Sequence, residues 1–405
     1  MEDLVELTYQ QVQQAASMGI VHLVADDEEL DGRSFAVGGR RYVNFNSCSY
    51  LGLEVDARLK AGAIAAVERY GVQMSNARTY VSAPPYARVE ALATQLFGGH
   101  VIVTPSTTLA HLSALPVLVR RGDVVFFDAQ VHHSVQAVLP ALAALGATIE
   151  RVSHLRVDQL DARLRALPPT VERAHFLTDG VFSIHGDMVD MAAMRRLLAA
   201  HPRLHLYIDD AHGVGWYGPR GCGHALADGP IERTTVVGSA AKSFGAGGGI
   251  IVCHDEETWR RVRSVGPSLI FSGPMQIPVL GALEASFRLH LSEELPALQA
   301  ELAARIAHFD RAAEAAGLAF TRYGSPIRFL EIGDETRMQR VVQRVAHDGF
   351  FTTLVMYPGV RRGGAGLRLA LNRSLHIEDI DGLIESVARA MRDIAVEPPP
   401  VAATG

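Results

Sequence analysis

Short β-rich runs alternate with helical patterns from about residue 40 to about residue 270, and this alternation limits the possible folds more than any other feature. The predicted strands are residues 124–128, 148–152, 174–177, 204–208, 235–237 and 250–253. Apolar residues at helical spacing predict helices at 134–145 and 157–167. This order predicts an α/β fold with a mostly parallel central sheet and helices on both faces. We therefore expect ligands at the carboxyl ends of the strands.

The pattern changes after about residue 285, where long helices and short strands replace the regular alternation. A chain of 405 residues is also longer than one hydrophobic core normally holds. We predict four segments, which are an N-terminal arm and hairpin (1–45), a large α/β domain (46–284), a smaller α+β C-terminal domain (285–395) and a disordered tail (396–405).

Charge and composition disfavour several classes of partner. The formal net charge is −6 and no basic block occurs, so we expect neither nucleic acid nor membrane as a partner. No apolar stretch approaches the length of a bilayer span, and the acidic N-terminus does not resemble a signal peptide. The cysteines Cys48, Cys222 and Cys253 lie far apart, which is typical of free thiols rather than disulfides or metal ligands. These features predict a cytoplasmic protein without a metal site.

A carboxylate at the end of a predicted strand is followed along the chain by a lysine that precedes a glycine run. Lys242 lies between small residues and precedes a run of three glycines at 247–249, and Asp209 directly follows the apolar run 204–208. Pyridoxal phosphate (PLP) needs these two groups, because its aldehyde forms a Schiff base with a lysine and its pyridine nitrogen pairs with a carboxylate. Either residue alone is compatible with a surface lysine or a turn aspartate. Together they favour a PLP site.

Hydroxyl side chains cluster where a phosphate could bind. Four of the five residues from 104 to 108 carry hydroxyl groups, and they lie between an apolar run and a helical pattern. The start of a helix offers free N–H groups and the positive end of the helix dipole to a phosphate. Ser106, Thr107 and Thr108 are therefore candidate phosphate ligands, with an ordinary N-cap as the alternative.

Other strand ends carry residues that could contact the cofactor ring. His132 follows a predicted strand and could lie flat on the pyridine face; a loop histidine is the alternative, and no third ligand nearby supports a metal site. His212, three residues after the candidate aspartate, could reach the phenolic oxygen of the cofactor or a substrate carbonyl, and Ser183 could reach the same phenolic oxygen. Asp179 ends another predicted strand. Taken singly, Asp179 is compatible with a turn and Ser183 with a helix cap.

Arg368 alternates with apolar neighbours on a predicted short strand. A guanidinium in that position must face an anion or water. A bidentate contact with a substrate carboxylate is one possibility. A buried structural salt bridge is equally compatible with the pattern.

Taken in order, several stretches resemble the α-oxoamine synthase family of fold-type I PLP-dependent enzymes. They are Tyr-Leu-Gly-Leu at 50–53, Thr-Asp-Gly-Val-Phe-Ser at 178–183, Asp-Asp-Ala-His-Gly at 209–213, Gly-Pro-Arg-Gly at 218–221 and Leu-Arg-Leu at 367–369. The resemblance extends over nearly the whole chain and implies a fold-type I transferase with a PLP cofactor. It also implies individual roles: Lys242 carries the Schiff base, Asp209 binds the pyridine nitrogen, His132 stacks on the ring, His212 and Ser183 contact the phenolic oxygen, Ser239 binds the phosphate and Arg368 binds the substrate carboxylate.

The chain departs from the family pattern at four places. Thr107 and Thr108 stand where the family commonly has glycine and an aromatic residue, and Cys48 replaces an asparagine. The segment 82–90 lacks the family's histidine-containing motif near the thioester. Ser272 retains only half of a Ser-Thr pair that reaches the partner subunit's phosphate in the family. These departures indicate a divergent branch, outside biotin, haem and sphingolipid synthesis.

The resemblance implies an acyltransferase that condenses an amino acid with an acyl thioester, on CoA or on an acyl-carrier protein. Loss of CO₂ would leave an α-aminoketone, for use in specialised metabolism or signalling. An aminotransferase and a non-catalytic partner subunit are the alternatives, and the presence of Lys242, Asp209 and His212 disfavours the latter. We also expect a homodimer, because the family builds its cofactor site at a two-fold interface.

Overall fold

The computed structural model describes residues 4–396. Apart from Val396, the predicted tail at 396–405 lies outside the described residues.

The helices alternate with strands over most of the chain. They are α1 (Leu4–Ser17), α2 (Ala57–Tyr70), α3 (Pro85–Phe97), α4 (Thr107–Leu118), α5 (His133–Gln136), α6 (Leu139–Ala144), α7 (Val157–Arg165), α8 (Met191–Ala200), α9 (Glu256–Val265), α10 (Pro267–Phe271), α11 (Ile277–His290), α12 (Leu295–Ala315), α13 (Glu335–His347) and α14 (Ile377–Val396).

The strands form three sheets. They are β1 (Ser34–Val37), β2 (Arg40–Asn44), β3 (His100–Thr104), β4 (Val124–Asp128), β5 (Thr148–Val152), β6 (Ala174–Asp179), β7 (Leu204–Asp209), β8 (Thr234–Ser239), β9 (Gly249–Cys253), β10 (Ile327–Gly333), β11 (Phe350–Phe351), β12 (Thr353–Val355) and β13 (Ala365–Ala370).

The large unit comprises residues 51–183 and 187–299 and contains a seven-stranded sheet. Its strand order is β3-β9-β8-β7-β6-β4-β5, in which β9 is antiparallel to both neighbours and β8, β7, β6, β4 and β5 run parallel. Successive strand residues point to opposite faces. Val124 and Phe126 accordingly belong to one hydrophobic cluster and Val125 to another. The α/β class, with a mostly parallel sheet and helices on both faces, is therefore confirmed.

Among the described residues, the small unit comprises 4–50, 184–186 and 300–396. One sheet has the order β10-β13-β12, and β1, β2 and β11 form another. Ala15 and Ile20, which belong to the N-terminal arm, are buried in the same hydrophobic cluster as Leu367 and Leu383. The N-terminal arm therefore groups with the C-terminal part of the chain. The predicted domain boundaries after residues 45, 284 and 395 divide the chain more finely than these two units do, and they stay a prediction.

Two predicted elements are interrupted. The helix expected at 134–145 is split into α5 and α6, and Pro140 occupies the first turn of α6. Proline has no N–H to donate to the preceding turn, so a continuous helix cannot pass through it without losing a hydrogen bond. The sequence also predicts one strand at 351–356 in the C-terminal part of the chain, but the structure splits it into β11 and β12, which pair with different sheets.

Over residues 4–396, no helix combines the length and apolar character that a bilayer crossing requires. The same described residues contain no group of three or more His, Cys, Asp or Glu side chains placed to hold a metal ion.

Candidate active site

A cavity of about 300 Å³ opens in the large unit, at the carboxyl ends of its parallel strands. Asp179, Asp209 and Ser239 are the last residues of β6, β7 and β8, which are neighbours in the sheet. The predicted site residues that line this cavity are Ser106, Thr107, Thr108, His132, Asp179, Asp209, His212, Ser239 and Lys242. The sheet thus gathers side chains that are far apart in sequence.

Lys242 lies in a loop that is closed by backbone hydrogen bonds. The N–H of Ala240 donates to the carbonyl of Gly248 (2.9 Å), and the N–H of Ala246 donates to the carbonyl of Ala240 (3.1 Å). Lys242 and Lys60 are the two lysines of the sequence, among 38 lysine and arginine residues. Because arginine occupies the other 36 of these positions, the lysine at 242 indicates a need for a primary amine rather than for positive charge.

The start of α4 forms one wall of the cavity. Ser106 is its N-cap, and the Ser106 hydroxyl accepts a hydrogen bond from the N–H of Leu109 (3.2 Å). The first N–H groups of a helix lack intrahelical partners, and here they belong to Thr107 and Thr108. Glycine is needed opposite this wall, because a Cβ on Gly249 would come within 2.5 Å of the Ser106 carbonyl oxygen. The N-cap and phosphate interpretations of Ser106 are therefore compatible.

Asp209 is buried and held by two hydrogen bonds. One carboxylate oxygen accepts from the N–H of Ala211 (3.0 Å), and the other lies 2.9 Å from Nε2 of His111. Nδ1 of His111 lies 2.8 Å from the Tyr207 hydroxyl. Burial acts to raise the pKa of Asp209, but the neighbouring His111 and Lys242 outweigh it and lower this pKa to about 2. Asp209 is therefore a buried anion.

His111 is a site residue that the sequence prediction missed. It is fully buried on α4, and its partner Asp209 lies 98 residues further along the chain. One signal was available, because His111 and Ser113 are the two polar residues within the otherwise apolar stretch 109–119. That signal alone does not distinguish a hydrogen-bonded core histidine from a site residue.

Asp179 differs from Asp209, although the two residues are paired in register across β6 and β7. Oδ1 of Asp179 accepts a hydrogen bond from the backbone N–H of His132 (3.0 Å). Burial and the negative charge of Asp209 raise the pKa of Asp179 well above its usual value. Two adjacent buried carboxyl groups do not both ionise at neutral pH, and here Asp209 carries the charge.

His132 is a neutral ring on the cavity wall. Its Nδ1 accepts a hydrogen bond from the N–H of Ser134 (3.3 Å), so the ring proton is assigned to Nε2. Burial is the main cause that lowers the pKa of His132. His212 is also buried, and its backbone carbonyl accepts a hydrogen bond from Nε1–H of Trp216 (2.6 Å).

Three predicted site residues are placed elsewhere. Among the described residues, Ser183 and Ser272 do not belong to the cavity lining. Ser183 immediately precedes residues 184–186, which group with the small unit. Arg368 lies on β13 of the small unit, is 7% exposed and donates a hydrogen bond to Sγ of Cys48 (3.6 Å). Their predicted roles stay predictions.

The lining residues fit the three functional groups of PLP. Lys242 offers an amine for the aldehyde, Asp209 an anion for the pyridine nitrogen, and the start of α4 a set of donors for the phosphate. The volume of about 300 Å³ is at the lower end of the range for small-molecule pockets. The cavity thus has the size and the chemistry for this cofactor.

Comparison with known proteins agrees with these features. Residues 40–387 match the family "Aminotransferase class I and II". The 8-amino-7-oxononanoate synthases of Klebsiella pneumoniae (32% identity, 87% of this chain and 90% of the relative) and Coprothermobacter proteolyticus (28%, 90% and 92%) are similar in sequence. Serine palmitoyltransferase of Sphingomonas wittichii has a similar fold, with a TM-score of 0.87 at 22% identity over 98% of this chain and 99% of that one. So does 8-amino-7-oxononanoate synthase of Francisella tularensis, with a TM-score of 0.72 at 19% identity over 88% and 99%.

The resemblance noted in the sequence and the PLP cofactor are thereby confirmed. The chain belongs to the aminotransferase class I and II family and, within it, to the PLP-dependent α-oxoamine synthases, which are C-acyltransferases.

Proposed function

We propose that this enzyme condenses an amino acid with an acyl thioester of CoA or of an acyl-carrier protein. The products are an α-aminoketone, CO₂ and the free thiol. The observation that carries the proposal is the meeting of Lys242, the anionic Asp209 and the start of α4 in one cavity. The similarity to 8-amino-7-oxononanoate synthases supports the thioester as second substrate.

Each lining residue has a separate task in this proposal. Bound PLP supplies an electron sink for the carbon that loses its proton. Asp209 holds a proton on the pyridine nitrogen, and His111 keeps this carboxylate ionised and oriented. His132 packs its neutral ring against the cofactor face. Ser106, Thr107, Thr108 and Ser239 bind the phosphate.

Lys242 and His212 act on the substrates. Nζ of Lys242 would take the α-proton of the amino acid as a general base. His212 donates a hydrogen bond to the carbonyl oxygen of the acyl group and so favours attack on its carbon. Arg368 binds the α-carboxylate until it leaves as CO₂. Asp179 holds the loop of His132 through its backbone N–H.

The test is release of thiol and CO₂ from mixtures of one amino acid with one acyl thioester, across a panel of both. We expect stoichiometric thiol and CO₂ with the correct pair. Lys242→Ala should abolish both, whereas Lys60→Ala, which changes the exposed lysine of α2, should leave both intact. A panel of common amino acids and of acyl groups on both carriers that gives no thiol would contradict the proposal.

An aminotransferase would behave differently. It would convert the amino acid to its keto acid without any thioester and would need a second keto acid to continue. Measuring keto acid in the absence of thioester therefore separates the two activities, and a non-catalytic subunit would show neither.

The proposal includes a cytoplasmic homodimer in which Ser272 reaches the phosphate bound by the partner subunit. The described cysteines Cys48, Cys222 and Cys253 form no disulfide bond with one another, as expected in a reducing compartment. Phe271, next to Ser272, and Tyr80 are each 85% exposed, which supports a covering partner. A monomer by light scattering that is loaded with PLP and active would contradict the dimer.

A further inference from the structure

An imidazole outside the cofactor cavity links the loops after three neighbouring strands. His154 follows β5; its Nδ1 lies 2.9 Å from Oδ1 of Asp128 and its Nε2 lies 2.5 Å from Oδ2 of Asp187. Asp128 is the last residue of β4, and Asp187 lies in the loop after β6. Because β6, β4 and β5 are adjacent and parallel, these loops leave the sheet at the same edge.

Both ring nitrogens of His154 face carboxylates. The charged groups that face the ring are those of Asp128 and Asp187, and the uncharged ring of Phe182 packs against it edge-on at 4.5 Å. An ionised carboxylate only accepts hydrogen bonds, so both nitrogens must donate and the ring must be an imidazolium. Burial acts against this charge, but the two carboxylates outweigh it and raise the pKa of His154 to about 9.

Asp128 and Asp187 both hold backbone that leads into the cofactor cavity, Asp128 through its carboxylate and Asp187 through its backbone carbonyl. Asp128 also accepts hydrogen bonds from the N–H groups of Gln130 (2.8 Å) and Leu155 (2.9 Å), and its loop continues to His132. The carbonyl of Asp187 accepts from the N–H of Phe182 (2.9 Å). Among the described residues, Oδ1 of Asp187 has no hydrogen-bond partner, so the contact with His154 is the one that fixes this side chain.

The same two loops supply part of the cavity wall. His132 comes from the loop after β4, and Asp179 and Val181 come from the strand end and loop after β6. The backbone N–H of His132 donates to Oδ1 of Asp179, and Val181 forms a bridge with Met188, next to Asp187. A change in the distance between the two loops would therefore move the ring of His132.

We infer that His154, as an imidazolium, is a positioning residue that holds these two loops together and so sets the position of His132 against the cofactor. This inference rests on the proposed function, because the contact of His132 with PLP is part of that proposal. Among the described residues that line the cavity, His154 is absent, so it acts through its neighbours.

The test measures PLP affinity of the apoenzyme, which requires no thioester substrate. His154→Gln loses the charge, and its single amide oxygen would repel one of the two carboxylates. We expect the dissociation constant of PLP to rise about tenfold. His201→Gln is the matched control, because His201 contacts Asp161 at 2.7 Å away from the cavity, and it should bind PLP like the wild type.

The pH dependence separates positioning from general loss of stability. A histidine with a raised pKa contributes most below its ordinary value of about 6.5, and its contribution disappears as the pH rises through about 9. The ratio of the two dissociation constants, His154→Gln over wild type, should therefore fall towards one between pH 8 and pH 10. Effects of pH on groups that both proteins share cancel in this ratio.

Three outcomes would overturn the inference. They are an unchanged PLP affinity in a folded His154→Gln, a ratio that does not change with pH, and an equal loss in His201→Gln. If His154→Gln does not fold, Asp187→Asn decides in the same way, since it removes the negative charge of one of the two partners of His154. His132→Ala separates the proposals: if it binds PLP normally, the proposed role of His132 fails, whereas a loss in His132→Ala without one in His154→Gln rejects only the inference.

Discussion

Replacing His111 with phenylalanine should weaken PLP binding by about 10- to 150-fold. His111 contacts Oδ2 of Asp209 at 2.9 Å, and both residues are buried. A hydrogen bond to a charged group contributes about 1.5–3 kcal/mol, and about 1.4 kcal/mol corresponds to a factor of ten in affinity. Phenylalanine fills similar space but cannot donate a hydrogen bond.

The expected loss follows from the charge on Asp209. Burial alone would raise the pKa of this carboxyl group, and His111 is the strongest of the neighbours that oppose the rise. Without His111, Asp209 should be partly protonated at neutral pH. A neutral carboxyl group no longer pairs with a protonated pyridine nitrogen, so the cofactor is held less tightly.

The assay is titration of apoenzyme with PLP, followed by tryptophan fluorescence. Trp216 reports on the site, because its indole N–H donates to the His212 carbonyl beside the cavity. Tyr207→Phe is the control, because it removes only the hydrogen bond to the far nitrogen of His111 and should weaken binding a few-fold at most. His111→Asn can still offer an amide N–H and should lie between the two. Wild-type affinity in a folded His111→Phe protein would refute the reasoning.

Three further changes test other parts of the structure. Arg368→Lys should raise the KM for the amino acid about tenfold or more, because lysine lacks the bidentate geometry; normal KM with a lowered Tm would instead make Arg368 structural. Asp210→Asn should raise Tm above that of the wild type at pH 8 but not at pH 4. Burial raises the pKa of Asp210 to about 8, so the wild type loses stability as the pH rises towards that value. A variant with the Tm of the wild type at both pH values would contradict this. Gly249→Ala should weaken PLP binding, because its Cβ would lie 2.5 Å from the Ser106 carbonyl oxygen; unchanged affinity would exclude a close fit there.

The parts of the site that the sequence could predict are those encoded locally. Asp179, Asp209 and Ser239 each end an apolar run, and parallel strands place such ends at one edge of a sheet. The prediction therefore needed only strand positions and not their order in the sheet. Family resemblance then assigned the separate roles, which the alternation of strands and helices cannot do.

The missed residues are those whose partners are set by packing. His111 meets Asp209 only because α4 packs on the face of the sheet where Tyr207 points. His154 meets Asp128 and Asp187 only because β5, β4 and β6 are neighbours, an order that differs from their order in the chain. Pro140 is a helix-breaking residue that the sequence shows, but the apolar residues at helical spacing over 134–145 favoured one continuous helix.

The two carboxyl groups at the ends of β6 and β7 illustrate how packing assigns function. Asp179 and Asp209 lie side by side at the ends of apolar strands, so the strand pattern alone offers no reason to treat them differently, and only the family resemblance singles out Asp209. The structure gives Asp209 an imidazole at 2.9 Å and gives Asp179 a neutral backbone N–H at 3.0 Å. Since the two groups cannot both be charged in the same buried place, this difference fixes the anion on Asp209 and the proton on Asp179. Asp209 alone can then pair with a protonated pyridine nitrogen, while Asp179 can hold the His132 loop without competing for that cation.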